Sequence, residues 1–377
     1  MPRLSRSCVF ALASSAAVIL LSSPPAAAQR IIKCKADVIQ PRLDFEFRFF
    51  TGYRVSIPAR EMLGPRRPVV IQITVTPLDR EDDEPTRLQL SEVAGPIPEK
   101  LKNQTVEITG SFVVGEGRYS VLWQMYDSLG AYCEIDWTLN AKRRRGERDL
   151  RLSIKPGEVG ESRLYVFRPQ PIRASPDAGP PLDVKVFLNL DPWRGRRARA
   201  GIRLFEFVPR LAALRALARH PRIGRISLVA YSVEEQTVYL RRELADEIDF
   251  SAIEKSIEKL SPAFVSIDQL GKERPREFFA GTLASDFPGD EPVDAYLFLG
   301  PDAEIGRSLH KDAVRAIARP RAPVFMLQTA RTSWRGVIGN FVDDLGGKEY
   351  RFYSPKDLGE AVDNLVSRIP ATSIEQR

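Results

Sequence analysis

The chain has 377 residues, 43% of them hydrophobic and 28% charged, with 56 Lys and Arg against 49 Asp and Glu. That composition excludes collagen-like, largely disordered and multi-pass membrane chains, and the length accommodates two or three domains of about 100 to 200 residues each. A formal charge of +7 is a mild excess on a mixed surface rather than a nucleic-acid footprint, and three Cys with two His leave little room for zinc ribbons or His-rich catalytic clusters.

Arg3 and Arg6 precede an apolar run from Cys8 to Leu21, and Ala26-Ala27-Ala28 follows Pro24-Pro25. Basic, apolar and small-residue segments in that order predict a secretory signal peptide over 1–28, cleaved before Gln29. The apolar run is shorter than the roughly 20 residues of a spanning helix, and Cys8 precedes it, so a lipoprotein anchor is not expected. The expected product is secreted or periplasmic, with no transmembrane anchor after cleavage. Cys34 and Cys133 then form an even pair in an oxidising compartment and are expected to join in a disulfide, with two separate buried thiols as the alternative.

Short β-rich runs predict strands at 33–38, 43–50, 53–57, 69–76, 104–114, 118–126 and 132–140, with 64–65, 79–85 and 95–96 as turns and loops. Strands at this spacing without a long helix argue for a β-sandwich over 29–168. Lys142 to Arg145 open a basic run without interleaved aromatics, which reads as a solvated loop or a patch for acidic envelope polymers. Two further strands are expected at 152–154 and 163–167, and five Pro between 169 and 181 mark a semi-rigid linker. The pattern then alternates. Strands are expected at 184–190, 226–231, 237–240, 295–299, 324–328 and 350–353; helices follow Leu204 and span 250–260, 274–283, 303–317, 335–345 and 355–369. This alternation predicts a doubly wound, Rossmann-like, mostly parallel sheet over 182–370, ahead of a tail at 371–377.

Two resemblances bear on function. Gly117-Arg118-Tyr119-Ser120-Val121, ending in Asp127-Ser128-Leu129-Gly130, resembles the tyrosine-corner strand and hairpin of immunoglobulin-like domains. That resemblance implies neighbouring first and last strands, carrying Cys34 and Cys133. The C-terminal half resembles a von Willebrand factor type A domain through the buried strand from Val184 to Asp191, the run Gly224 to Ser232, and the stretch from Phe341 to Leu358. The resemblance implies a divalent metal held by an Asp-x-Ser-x-Ser loop, a Thr from a second loop and an Asp from a third, the metal capturing a partner's carboxylate.

This chain keeps Asp191, but Trp193 and Gly195 stand at the two Ser positions. The second loop offers Ser266 and Asp268, and the third offers Gly300 with Asp302 two residues late. A hard cation wants about six oxygen ligands, so the expectation is that no metal is held. Arg194, Arg196 and Arg197 follow Asp191, and guanidinium groups accept carboxylates without a metal, with Trp193 as an aromatic anchor. No Gly-x-Ser-x-Gly, His-Glu-x-x-His, phosphate-loop or Cys-x-x-Cys motif occurs. His220 is expected to cap a helix, and His310 to lie exposed in mid-helix. The sequence thus reads as an exported, non-catalytic protein-interaction or adhesion module without a cofactor. Its expected partner is an acidic protein or cell-envelope component, not nucleic acid. The alternative is a secreted hydrolase acting on envelope or environmental polymer.

Overall fold

The computed structural model describes residues 30–79, 84–162, 167–192, 206–260, 274–287, 292–303, 308–317, 319–329 and 335–370. The N-terminal half consists of β1 (Arg30–Ile31), β2 (Lys35–Leu43), β3 (Phe49–Pro58), β4 (Arg67–Pro77), β5 (Thr86–Ala94), β6 (Thr105–Val114), β7 (Gly117–Asp127), β8 (Ala131–Ala141) and β9 (Val159–Glu161). They form a five-stranded sheet ordered β1-β8-β7-β4-β5 and a four-stranded sheet ordered β2-β3-β6-β9. Alternate residues of each sheet face one core, so Val69, Ile71, Ile73 and Val75 of β4 meet Tyr53, Val55 and Ile57 of β3 around Trp123. Tyr119, fully buried, donates its hydroxyl to the Gly115 carbonyl at 3.0 Å.

Cys34 and Cys133 are disulfide-bonded, with their Cα atoms 6.4 Å apart. Cys34 lies between β1 and β2, where the chain crosses from one sheet to the other, and Cys133 lies on β8. The first strand β1 does pair with β8, as the resemblance implies, but Cys34 lies beyond the end of β1, so the bridge ties β8 to the crossover between the sheets.

The sequence reading missed β5. This strand lies on the edge of its sheet with none of its described side chains fully covered, so no clear apolar alternation marks it. Of the expected strand at 43–50, Leu43 ends β2, 44–48 form a tight turn and only 49–50 belong to a strand, β3, which runs on through the expected 53–57. No strand forms at 152–154, and 163–166 lie outside the described residues.

The C-terminal half holds β10 (Gln170–Pro171), β11 (Leu182–Asn189), α1 (Val208–Arg219), β12 (Ile223–Ser232), β13 (Thr237–Ala245), β14 (Glu247–Ile248), α2 (Phe250–Glu258), α3 (Arg274–Asp286) and β15 (Ala295–Leu299). It continues through α4 (Lys311–Ala316), β16 (Val324–Thr329), α5 (Val337–Asp344), β17 (Lys348–Phe352) and α6 (Pro355–Ser367). Six strands form one sheet ordered β13-β12-β11-β15-β16-β17, parallel except for β13, which returns antiparallel to β12. A central parallel strand is covered on both faces, which accounts for the burial of every residue of β11. Val184, Val186 and Leu188 face α1, α2 and α6. Phe187 faces the aromatic layer of Phe279, Phe298 and Phe341 beneath α3 and α5.

The expected helix at 303–317 is described only as α4, and His310 stands at its N-cap rather than in mid-helix. His220 is the C-cap of α1, as expected. Nor is the Pro-rich segment a free spacer from its start: β10 pairs with β14, and Ile172 is buried against the α/β core.

The halves dock through the turn between β2 and β3. Phe47 occupies the left-handed region at φ 59°, where Asp44 holds the turn by accepting the Glu46 and Arg48 backbone N–H groups at 2.9 and 3.0 Å. This delivers Phe47, together with Leu150, into the core built by α1 and α6, while Phe45 packs edge-on against Phe352 at 6.0 Å. Gly359 on α6 leaves the space, because a Cβ there would lie 2.3 Å from Leu150 Cδ2. Charge crosses the same contact. Burial brings Arg215 of α1 down to about 10, and the neighbouring Arg219 adds to that fall while Glu46 opposes it.

Candidate functional site at the carboxyl edge of the sheet

From β11 the chain continues through β12 on one side of the sheet and β15 on the other, so their carboxyl ends flank a topological switch point, the usual ligand position in open α/β sheets. Asp191 sits two residues beyond β11 and is buried. Its carboxylate accepts from Ser232 Oγ at 2.5 Å and from the Val233 and Glu234 N–H groups at 3.2 Å each. Burial raises its pKa, against the lowering pull of Ser232 and the Glu234 amide. Asn189 organises the turn, accepting the Asp191 N–H through Oδ1 at 3.0 Å and donating through Nδ2 to the Pro301 carbonyl at 3.0 Å.

A cation lies beside this acid. Arg210 of α1 is buried, donates from Nη1 to the Asn189 and Asp191 carbonyls at 2.8 and 2.9 Å, and lies 4.4 Å over the Phe207 ring. Burial brings Arg210 down to about 9 and the Asp191 charge pulls the other way.

Asp302, after β15, is the counterpart on the opposite side. It accepts four backbone N–H groups, from Ala303 at 2.8 Å, Gly336 at 2.6 Å, Ile338 at 2.9 Å and Gly339 at 3.1 Å. Three of these donors come from the start of α5, so Asp302 caps that helix from another loop, where a negative charge suits the helix dipole. Gly336 and Gly339 are required by the approach, since a Cβ at either would fall 2.6 or 2.7 Å from an Asp302 oxygen. Burial again raises the acid, offset by those amides. The buried Tyr231 hydroxyl has no hydrogen-bond partner among the described residues; burial, then the charges of Asp191 and Asp302, push it well up.

Both carboxylates thus use their oxygens on internal donors. Asp191 joins the ends of β11 and β12, and Asp302 joins the end of β15 to α5. Among the described residues no group of three or more His, Cys, Asp or Glu is arranged to hold a metal ion. Of the residues singled out from sequence, Asp191 and Asp302 lie on this one edge, while Trp193, Arg194, Arg196, Arg197, Ser266 and Asp268 lie outside the described residues. Sequence reasoning gave no role to Asn189, Arg210, Tyr231 or Ser232. Arg210 did leave a signal, as an Arg beside Leu211 on the apolar face of α1, whose other Arg are at 215 and 219.

No family profile matches the chain. No curated protein matches it in sequence at a significant level. Among solved structures, a mutant form of enoyl thioester reductase from Candida tropicalis is 11% identical over 88% of this chain and 87% of its own, with a TM-score of 0.23. A putative ApaA protein from Bordetella pertussis is 11% identical over 31% of this chain and 99% of its own, at 0.21. A glycosyl hydrolase family 2 member from Bacteroides cellulosilyticus is 9% identical over 84% of this chain and 36% of its own, at 0.20. At these TM-scores the likenesses carry no argument about fold or function.

Proposed function

We propose that this is an exported, non-catalytic interaction module whose C-terminal half is a von Willebrand factor A-like domain working without a metal, preceded by an immunoglobulin-like sandwich. The observation that carries the reading is the carboxyl edge itself. Asp191, the one residue kept from the family's metal loop, is turned inward onto Ser232 and two backbone amides, with the buried Arg210 beside it. The sheet order, with one antiparallel strand next to β12, supports the domain assignment. The Tyr119 hydroxyl on the Gly115 carbonyl supports the sandwich assignment. The disulfide fits export, and no described helix is long and apolar enough to cross a membrane.

Recognition is assigned to the segment after Asp191, where Arg194, Arg196 and Arg197 receive partner carboxylates and Trp193 anchors the contact. The test is capture of partners from the source organism's own envelope fraction, with and without chelator, compared with an Arg194→Glu/Arg196→Glu variant. Capture that survives chelation and is lost on charge reversal is expected. Capture that needs a divalent cation, or that the reversal leaves unchanged, overturns the reading.

A further inference from the structure

A second site lies where the halves meet. A cleft of about 210 Å³ opens between the β2–β3 turn and the segment after β8 on one side and α1 and α6 on the other. Phe47, Leu150, Leu152, Ala216 and Val362 form its apolar wall. Its polar groups are Arg151, Arg219, His220 and Asp363. Arg219 is fixed at the end of α1 by donation from Nε to Gln170 Oε1 at 3.0 Å. His220 accepts the Arg222 N–H on Nδ1 at 3.2 Å, and its Nε2 lies 3.5 Å from Asp363 Oδ1, so the one carboxylate has a neighbour. Arg151 makes no hydrogen bond or ion pair with any described residue. Arg219 also feels Glu46 and Asp44, which Arg48 and Arg215 answer, so the two guanidinium groups against the one carboxylate of the lining leave a net positive charge beside an apolar wall.

Ligand sites collect at domain interfaces as apolar hollows with a few convergent polar groups. At about 30 Å³ per water, this one has the volume of roughly seven waters, which suits a ligand of roughly seven to ten heavy atoms. We infer that the cleft binds a small amphiphilic monoanion, a carboxylate on an aryl or short alkyl body. The carboxylate meets Arg219 and Arg151, and the body lies against Phe47, Leu150 and Val362. Such a ligand touches both halves, so it stabilises them only while they are docked. The inference is independent of recognition at the carboxyl edge.

The whole protein is titrated with phenylacetate and with hexanoate, each beside its uncharged amide, by calorimetry and by melting temperature. Both carboxylates are expected to bind and raise the melting temperature in a concentration-dependent way, and the amides to bind at least about tenfold more weakly. Arg219→Gln weakens the carboxylates by about tenfold or more, and Ala216→Leu, which fills the hollow without touching a charge, removes binding. Equal binding of acid and amide, unchanged affinity in Arg219→Gln, or no binding at millimolar concentration overturns the inference. Phosphate binding that depends on Arg219 but ignores Ala216→Leu would indicate a bare-anion patch and overturn it equally.

Discussion

Phe47 offers the sharpest test of how the halves are joined, because packing and backbone strain act on it in opposite directions. Its side chain is 7% exposed within the core of α1 and α6. A buried aromatic covers about 150–250 Å², and removing one from a packed site costs about 3–5 kcal/mol. Phe47→Ala loses that packing while keeping a side chain at φ 59°, so the full loss is expected, about 3–4 kcal/mol. Phe47→Gly loses the same packing but relieves the left-handed cost, recovering about 1–2 kcal/mol. Glycine should therefore be the milder substitution, the reverse of the usual order. All the described α-helices lie in the C-terminal half, so helix loss in far-ultraviolet circular dichroism can be compared with the sandwich followed through Trp123 and Trp137 fluorescence in a Trp193→Phe/Trp334→Phe background. In urea the two signals should separate in Phe47→Ala more than in the parent. A loss below about 1 kcal/mol, or Gly no better than Ala, would refute the picture of Phe47 as the docking residue.

Gly359→Ala gains about 1 kcal/mol of helix propensity but drives a Cβ into Leu150, so a net loss of up to about 2 kcal/mol is expected. Leu150→Ala in the same chain should make it neutral or favourable, which a double-mutant cycle in urea reads directly. Reducing the 99-residue disulfide loop should lower the unfolding free energy by up to about 4–5 kcal/mol, and a loss below about 1 kcal/mol would show that the sheets do not depend on it. Asp302→Asn strips an acceptor from the amides at the start of α5 and should cost about 1–3 kcal/mol at neutral pH. An acid raised above its unfolded value destabilises the fold once charged. The protonation-linked part of Asp302's contribution is therefore fullest below about pH 3.9 and is lost as pH rises through its folded value, while its hydrogen bonds to the amides account for the cost that remains at neutral pH. Urea midpoints should accordingly show the gap between parent and Asp302→Asn widest in acid and narrowing toward neutrality.

The sequence carried the layer order of the C-terminal half well, because the period of its apolar residues changes wherever a strand gives way to a helix. Val184 to Leu190 is apolar throughout and forms the central strand, and the apolar positions of 355–369 at helical spacing form α6. It carried edges poorly. β5 has too little covered surface to impose an alternation, and β10 is two residues long inside a Pro-rich stretch. The docking of the halves was not legible at all. It rests on one left-handed Phe and one helical Gly, and neither position differs in composition from an ordinary turn or helix.

The carboxyl edge shows where pattern matching stops for a physical reason. A strand ending in Asp marks the position at which α/β sheets meet their ligands, yet the same position leaves unpaired backbone amides in the neighbouring loops. An acid there has two competing uses, holding an outside cation or satisfying those amides. Positions 193 and 195 are not Ser, so a metal loop of the Asp-x-Ser-x-Ser kind is incomplete after Asp191, whereas Ser232, Val233 and Glu234 supply three donors to its carboxylate. Asp302 has four backbone donors. Hydrogen bonding to ionised groups contributes about 1.5–3 kcal/mol each, so several together can hold a buried carboxylate without any ion. Such a carboxylate cannot turn outward to a partner without breaking the loops it joins, and an outward-facing binding surface on this edge must therefore be built from other residues.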